Sequence, residues 1–110
     1  MNDKKLLGDL GENMASAILY SQGYEIIEKK FRCKIGEIDI IAANDDLLCF
    51  VEVKTRTSCI LGSPGFSVNM KKQIKIKKVA DYYMLKNRIP HCRISFMVFE
   101  ILINQIDNAF

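Results

Sequence analysis

The stretch "GEIDIIAANDDLLCFVEVK", residues 36 to 54, restricts the fold more than any other part of the chain. Two alternating runs rich in β-branched residues, "EIDIIAA" and "LLCFVEVKT", flank Asn44, Asp45 and Asp46. That is the pattern of two antiparallel strands joined by a tight turn. A two-residue turn at Asp45 and Asp46 pairs Asn44 with Leu47, so that Asp39 faces Glu52 and Glu37 faces Lys54. Side chains alternate between the faces of a sheet. Ile38, Ile40, Ala42, Cys49, Val51 and Val53 are therefore expected on one apolar face. Glu37, Asp39, Ile41, Phe50, Glu52 and Lys54 are expected on the other, which is apolar near the turn and charged away from it.

Opposed residues in an antiparallel pair hold their Cβ atoms about 4.5 to 5.5 Å apart, where like charges destabilise the pair. Two carboxylates so placed call for a raised pKa, a neighbouring cation or a bound metal. A hard divalent cation such as Mg²⁺ favours carboxylate oxygens and keeps waters in its other positions. Such a water becomes a nucleophile, and the ion stabilises charge developing on a phosphate. Lys54, two residues after Glu52 and on its face, would stand beside that water as a fixed positive charge. The competing reading is a solvated, charged sheet face on which Lys54 pairs with Glu37. A longer turn would slip the register and separate the acids.

Residues 4 to 22 form an expected amphipathic helix ended by Gly23, with Leu7, Leu10, Met14, Ala17, Ile18 and Ser21 as the stripe that lies on a sheet. Residues 24 to 32 make a further strand, and "RTSCILGSPGF" a loop carrying Gly62, Pro64 and Gly65. A second helix is expected over residues 67 to 88, with Ser67 as candidate N-cap and Pro90 beyond its end. Its Ile74, Val79, Tyr82 and Tyr83 make no clean stripe. "RISFMVFEILI" closes the fold as one or two strands. The order is α-β-β-β-α-β, an α/β domain with a central mixed β-sheet flanked by helices, spanning residues 1 to 110 as one unit.

Of the 110 residues, 49% are apolar and 26% charged, an ordinary balance for a folded soluble domain. A net charge of +3 names no partner by itself. No apolar run approaches the roughly 20 residues that span a bilayer, and "MNDKKLLGDLGEN" has no signal-peptide pattern. A cytoplasmic protein without a membrane partner is expected. Cys33, Cys49, Cys59 and Cys92 contain no C-x-x-C spacing and accompany one histidine, so free thiols are expected in place of a zinc site or redox pair.

Asp39, a hairpin, and then Glu52-Val53-Lys54 resemble the PD-(D/E)XK nuclease signature. With "GDLGENMA", "LYSQGYEII", "FRCKIGEIDIIA", "LLCFVEVKTR" and "GSPGFSV" in that order, nearly the whole chain resembles the bacterial YraN family. That family is grouped with restriction-endonuclease-like folds, especially archaeal-type Holliday junction resolvases. The resemblance implies a restriction-endonuclease-like domain in which Asp39 and Glu52 hold Mg²⁺ or Mn²⁺ and Lys54 positions or deprotonates the attacking water. It also implies that Glu12, in "LGEN", is a further helix acid directed at the same metal. Glu37 belongs to the motif as a residue that pairs with a basic side chain or ligates the metal. Ile38 stands where the wider signature has its proline.

Lys71, Lys72, Lys75, Lys77 and Lys78 crowd the start of the second helix, and clustered cations neutralise phosphates without sequence preference. Arg32 and Arg56, with Lys30 and Lys34, flank the hairpin and would extend that surface. Tyr82, Tyr83 and Phe66 are either stacking platforms for bases or helix core. The leading expectation is a metal-dependent endonuclease acting on DNA, with branched DNA as one candidate substrate and a homodimer as one candidate assembly, since relatives that cut junctions symmetrically pair two sites. The alternative is a non-catalytic nucleic-acid-binding module on the same fold.

Overall fold

The computed structural model describes residues 3–57 and 68–110. Among them the chain builds α1 (Asp3–Ser21), β1 (Glu25–Arg32), β2 (Glu37–Asn44), β3 (Leu47–Thr57), α2 (Met70–Lys86) and β4 (Arg93–Ile103). This is the α-β-β-β-α-β order expected of a restriction-endonuclease-like domain. The strands lie side by side as β1-β2-β3-β4. The first three pair antiparallel and β4 runs parallel to β3, so the sheet is mixed. A parallel neighbour requires a long crossover, and α2 supplies it.

The hairpin has the expected register, with Asn44 opposite Leu47 and Ile40 opposite Val51. Asp45 takes the left-handed φ of 54° that a tight turn asks for and that Asp tolerates. Arg93 grips the turn with a fork on the Asp46 carboxylate, at 2.8 to 3.1 Å, and with its own N–H on the Asp46 carbonyl. That contact starts β4 beside β3. Arg56 and Thr57, expected in the following loop, extend β3 because Leu102 and Ile103 of β4 pair with them.

Helix α1 ends as the sequence suggests. Gly23 adopts φ 98°, and the N–H groups of Gly23 and Tyr24 reach back to the Tyr20 and Leu19 carbonyls, a Schellman arrangement. Its buried face differs from the expected one. Gly11, Ala15 and Leu19 face the sheet, whereas Leu10, Met14, Ala17 and Ile18 are exposed. The reason is close approach: a Cβ at Gly11 would stand 1.8 Å from the Thr55 hydroxyl oxygen. Small residues let the helix lie directly on β3, and bulkier neighbours are turned outward. Ala15 and Leu19 then pack on Ile40, Ala42, Cys49, Val51 and Ile101.

On the opposite face, α2 begins at Met70, capped by the Asn69 side chain, which accepts the Lys72 N–H at 2.8 Å. The expected cap, Ser67, lies outside the described residues. Its inward stripe is Lys72, Ile76, Val79, Ala80 and Tyr83 at steps of three and four, while Ile74 and Tyr82 are exposed. Tyr83 meets Phe31 and Phe50 edge-on at 5.1 and 6.1 Å and joins Ile38, Ile41 and Leu48 in the second core cluster. Cys33, Cys49 and Cys92 are free thiols, and Cys59 lies outside the described residues. No helix among the described residues is long and apolar enough to cross a membrane.

The Gly11 contact yields a test. Gly11→Ala forces a methyl group into Thr55 and should cost about 1–3 kcal/mol in urea unfolding. Thr55→Ala in the same chain should recover part of that loss, because it removes the oxygen that the new methyl meets first.

Candidate active site

The ladder between β2 and β3 stops after Ile40 and Val51. One residue further, the Asp39 carboxylate takes over the role of a main-chain acceptor: its Oδ2 receives the Val53 N–H at 2.7 Å. Asp39 and Glu52 are therefore not a regular ladder pair, as the turn geometry suggested, but neighbours where two strands part. Their carboxyl groups still interact, since Asp39 adds to burial in raising the proton affinity of Glu52.

The break shows in β2 and in its neighbour β1. Ile38 packs with Phe31, Ile41 and Phe50 in the α2 cluster, while Ile40 packs in the α1 cluster. Regular alternation would have kept Ile38 and Ile40 on one face, so strand parity changes at Asp39, contrary to the expected grouping. Across from it in β1, Lys30 has a left-handed φ of 55°. Register immediately around this point is kept, with Lys29 opposite Ile40 and Phe31 opposite Ile38, while a shift lies upstream between Ile26 and Glu28. The kink turns Lys30 toward α1, where its ammonium pairs with Asp9 and lies 3.6 Å from Glu12 Oε1.

Glu52 projects from β3 toward α2. Its Oε2 lies 3.4 Å from Lys72 Nζ, and its side chain is only 14% exposed. Burial, then the hydrogen bond to Asp39 and the charge of Asp39, push its pKa up to about 7, against the pull of Lys72. The cleft beside it, about 440 Å³, has Ile38, Phe50, Val68, Ile76 and Phe96 in its wall. These apolar groups explain why desolvation leads.

Glu12 approaches from α1 because Gly11 lets that helix touch β3. Its Oε1 is buried without a hydrogen-bond partner among the described residues. Burial first, then the charge of Asp39, raise its pKa, and Lys30 opposes them. Glu12 opens onto a polar hollow shared with Asp9, Lys30 and Arg32, on a different side from the cleft that holds Glu52. Glu37 pairs with Arg32, which excludes the alternative pairing of Glu37 with Lys54.

Lys54 is partly buried on β3, beside Glu100 in the parallel register, and makes no ion pair among the described residues. Arg56, on the same face, stands 3.9 Å from the Glu100 carboxylate. Of the lysines on α2, Lys71 and Lys75 are exposed, and the Lys75 stem lies over Gly36, where a Cβ would meet it at 3.3 Å. Phe66 lies outside the described residues. Sequence reasoning grouped Lys72 with this surface and missed its contact with Glu52. The signal was present, since Lys72 precedes Ile76 by four residues and so shares its inward face.

No three His, Cys, Asp or Glu side chains among the described residues converge as a ready metal cage. Mg²⁺ needs less, because it binds through one or two carboxylates and retains waters. The donor set fits that demand: two adjoining carboxylates, one with raised proton affinity, already draw an ammonium to one oxygen. Glu12, whose buried Oε1 has only the Lys30 ammonium at 3.6 Å to offset it, adds negative charge that Asp39 already feels.

Residues 11–101 match the model of Uncharacterised protein family UPF0102. The chain belongs to family UPF0102, the YraN family that its motifs resemble. A UPF0102 protein of Clostridioides difficile is 48% identical over 115 aligned residues that take in all of both chains. One of Clostridium kluyveri is 45% identical over 105 residues, 96% of this chain and 86% of its own. A third, from Caldicellulosiruptor bescii, is 55% identical over 80 residues, 73% of this chain and 67% of its own. The UPF0102 match begins at Gly11 and ends at Ile101, so it takes in Glu12, Asp39, Glu52, Lys54 and Lys72 together.

The raised Glu52 pKa gives this UPF0102 protein a pH signature. The folded site binds the Glu52 proton more tightly than the unfolded chain, whose carboxylate titrates near 4.5. The Glu52 contribution to metal-free stability is therefore fully present below that value and is lost as pH rises through about 7. Glu52→Gln should flatten the decline and leave the variant more stable than wild type at pH 8 by about 1–3 kcal/mol, read from thermal or urea unfolding in EDTA.

Proposed function

We propose that this protein is a metal-dependent endonuclease that hydrolyses phosphodiester bonds in DNA, with branched, Holliday-junction-like DNA as its candidate substrate. The observation that carries the reading is the Asp39 and Glu52 carboxylate pair, held where the β2–β3 ladder opens and drawing one ammonium. An ordinary sheet has no use for two adjoining buried acids there.

Asp39 and Glu52 are the residues that would hold Mg²⁺ or Mn²⁺, with Glu12 on α1 as a further acid close enough to interact with the charge of Asp39. Bound there, the ion would lower the pKa of a water and offset charge growing on a phosphate. The Val53 N–H fixes one Asp39 oxygen and leaves the other to the site. Lys54 follows Glu52 by two residues on the same face, and its N–H donors orient the attacking water against the phosphate. Lys71 and Lys75, on the first turns of α2, hold flanking phosphates by charge and so read no sequence. Arg32 and Arg56 are each paired with an acid, Glu37 and Glu100, and Arg32 lines the hollow on the α1 side together with Glu12 and Lys30.

Labelled linear, single-stranded and four-way-junction DNA, incubated with Mg²⁺ or Mn²⁺, tests this reading. Asp39→Asn, Glu52→Gln and Lys54→Ala should each lower the cutting rate by at least about 100-fold with circular dichroism unchanged. Cutting that persists in Lys54→Ala would remove the role given to that lysine. Salt-sensitive binding with no cutting under any metal condition would favour the second reading, a non-catalytic binding module, for which the absence of a third converging ligand among the described residues speaks.

The assembly proposed with this activity is a homodimer. Among the described residues β4 is an edge strand, and Ile94, Phe96, Val98 and Leu102 are exposed along one of its faces. It carries neither Lys nor Pro, the residues that usually blunt an edge. Sedimentation should find a dimer, and Ile94→Lys with Leu102→Lys should return a folded monomer. A wild-type monomer at every concentration would overturn this part of the proposal.

A further inference from the structure

We propose that Lys72 is a resident counter-cation of the metal site: it holds Glu52 while the metal is absent, yields it when the metal binds, and then carries its charge to the substrate phosphate. Metal and DNA thereby bind cooperatively through one side chain. The inference rests on the metal-nuclease reading above and adds to it a coupling between its two ligands.

The backbone under Lys72 is fixed and its ammonium is not. Asn69 caps the Lys72 N–H at 2.8 Å, and Ile76, Val79 and Tyr83 anchor the same helix stripe in the core. The Lys72 side chain is 42% exposed, so an open path leads from Glu52 to solvent. Glu52 has the opposite character, buried and unable to follow. A divalent ion on Glu52 would repel an ammonium 3.4 Å from the same oxygen, and the mobile partner is the one that leaves. The other acid facing this point is Asp39, which the Val53 N–H holds in place.

Where the ammonium goes is set by the helix. Lys72 is in the first turn of α2, which has no acidic residue to recapture it and whose N-terminal dipole favours an anion. Its exposed neighbours in that region, Lys71 and Lys75, carry like charge. A phosphate bound across the site is then the available partner. Because coupling between two ligands is reciprocal, metal should tighten DNA binding by the same factor that DNA tightens metal binding.

Titration calorimetry with Mn²⁺, and anisotropy of labelled junction DNA with and without Mg²⁺ in a Lys54→Ala background, test the inference. Lys72→Met should bind Mn²⁺ about three- to ten-fold more tightly than wild type, since the competing cation is gone. The gain in DNA affinity that Mg²⁺ confers should shrink in Lys72→Met by about the same factor. Lys72→Arg should preserve the coupling, and Lys75→Met should leave it unchanged while weakening DNA binding uniformly. Equal or weaker Mn²⁺ binding by Lys72→Met, or an undiminished metal gain, would overturn the inference and leave the nuclease reading standing. Wild-type protein that binds no Mn²⁺ would overturn both.

Discussion

The hydrogen bond from the Val53 N–H to the Asp39 carboxylate organises the site. In a continued ladder that N–H would have met a main-chain carbonyl of β2. By accepting it with a side chain, Asp39 ends the regular pairing, keeps a buried donor satisfied and anchors its own charge where the strands part. The strand parity change at Asp39 and the left-handed Lys30 belong to the same local break. Without it, Glu52 would oppose Asp39 in a closed sheet with no room for a ligand between them.

Both helices then deliver charge to that opening, each by a packing device. In α1 the device is the absence of a side chain at Gly11, which brings Glu12 against β3 beside Thr55. In α2 it is the continuation of an inward stripe by one polar residue, so that the turn before Ile76 lays Lys72 on Glu52. An acid arrives from one face and a base from the other. Glu12 and Glu52 both hold protons more tightly than free carboxylates do, first because burial desolvates them and then because Asp39 adds like charge.

Much of this was legible in the chain. Alternation and a two-residue turn determine hairpin register because a slip by one residue would invert every side chain, and the observed pairing of Asn44 with Leu47 follows. Helix ends were legible where they depend on local chemistry, as at Gly23. The inward face of α1 was not. Hydropathy favours Leu10, Met14 and Ile18 as core, yet the sheet accepts Gly11, Ala15 and Leu19, because the distance between helix and strand decides which side chains fit. The extension of β3 through Arg56 and Thr57 was likewise hidden, since it depends on β4, some 45 residues away in sequence.

The sequence by itself determined the element order, the hairpin and the identity of the acids and lysine that the nuclease reading uses, for these follow from periodicity, turn chemistry and motif spacing within short windows. It also carried the family, whose match runs from Gly11 to Ile101. Only the tertiary structure decided that Asp39 bonds a strand N–H, that Glu37 is taken by Arg32, and that Lys72 reaches Glu52. Each of those facts is a distance between atoms on separate elements. Such distances are set by how closely helices and strands can approach, which depends on the volume of every side chain between them and on no single stretch of chain.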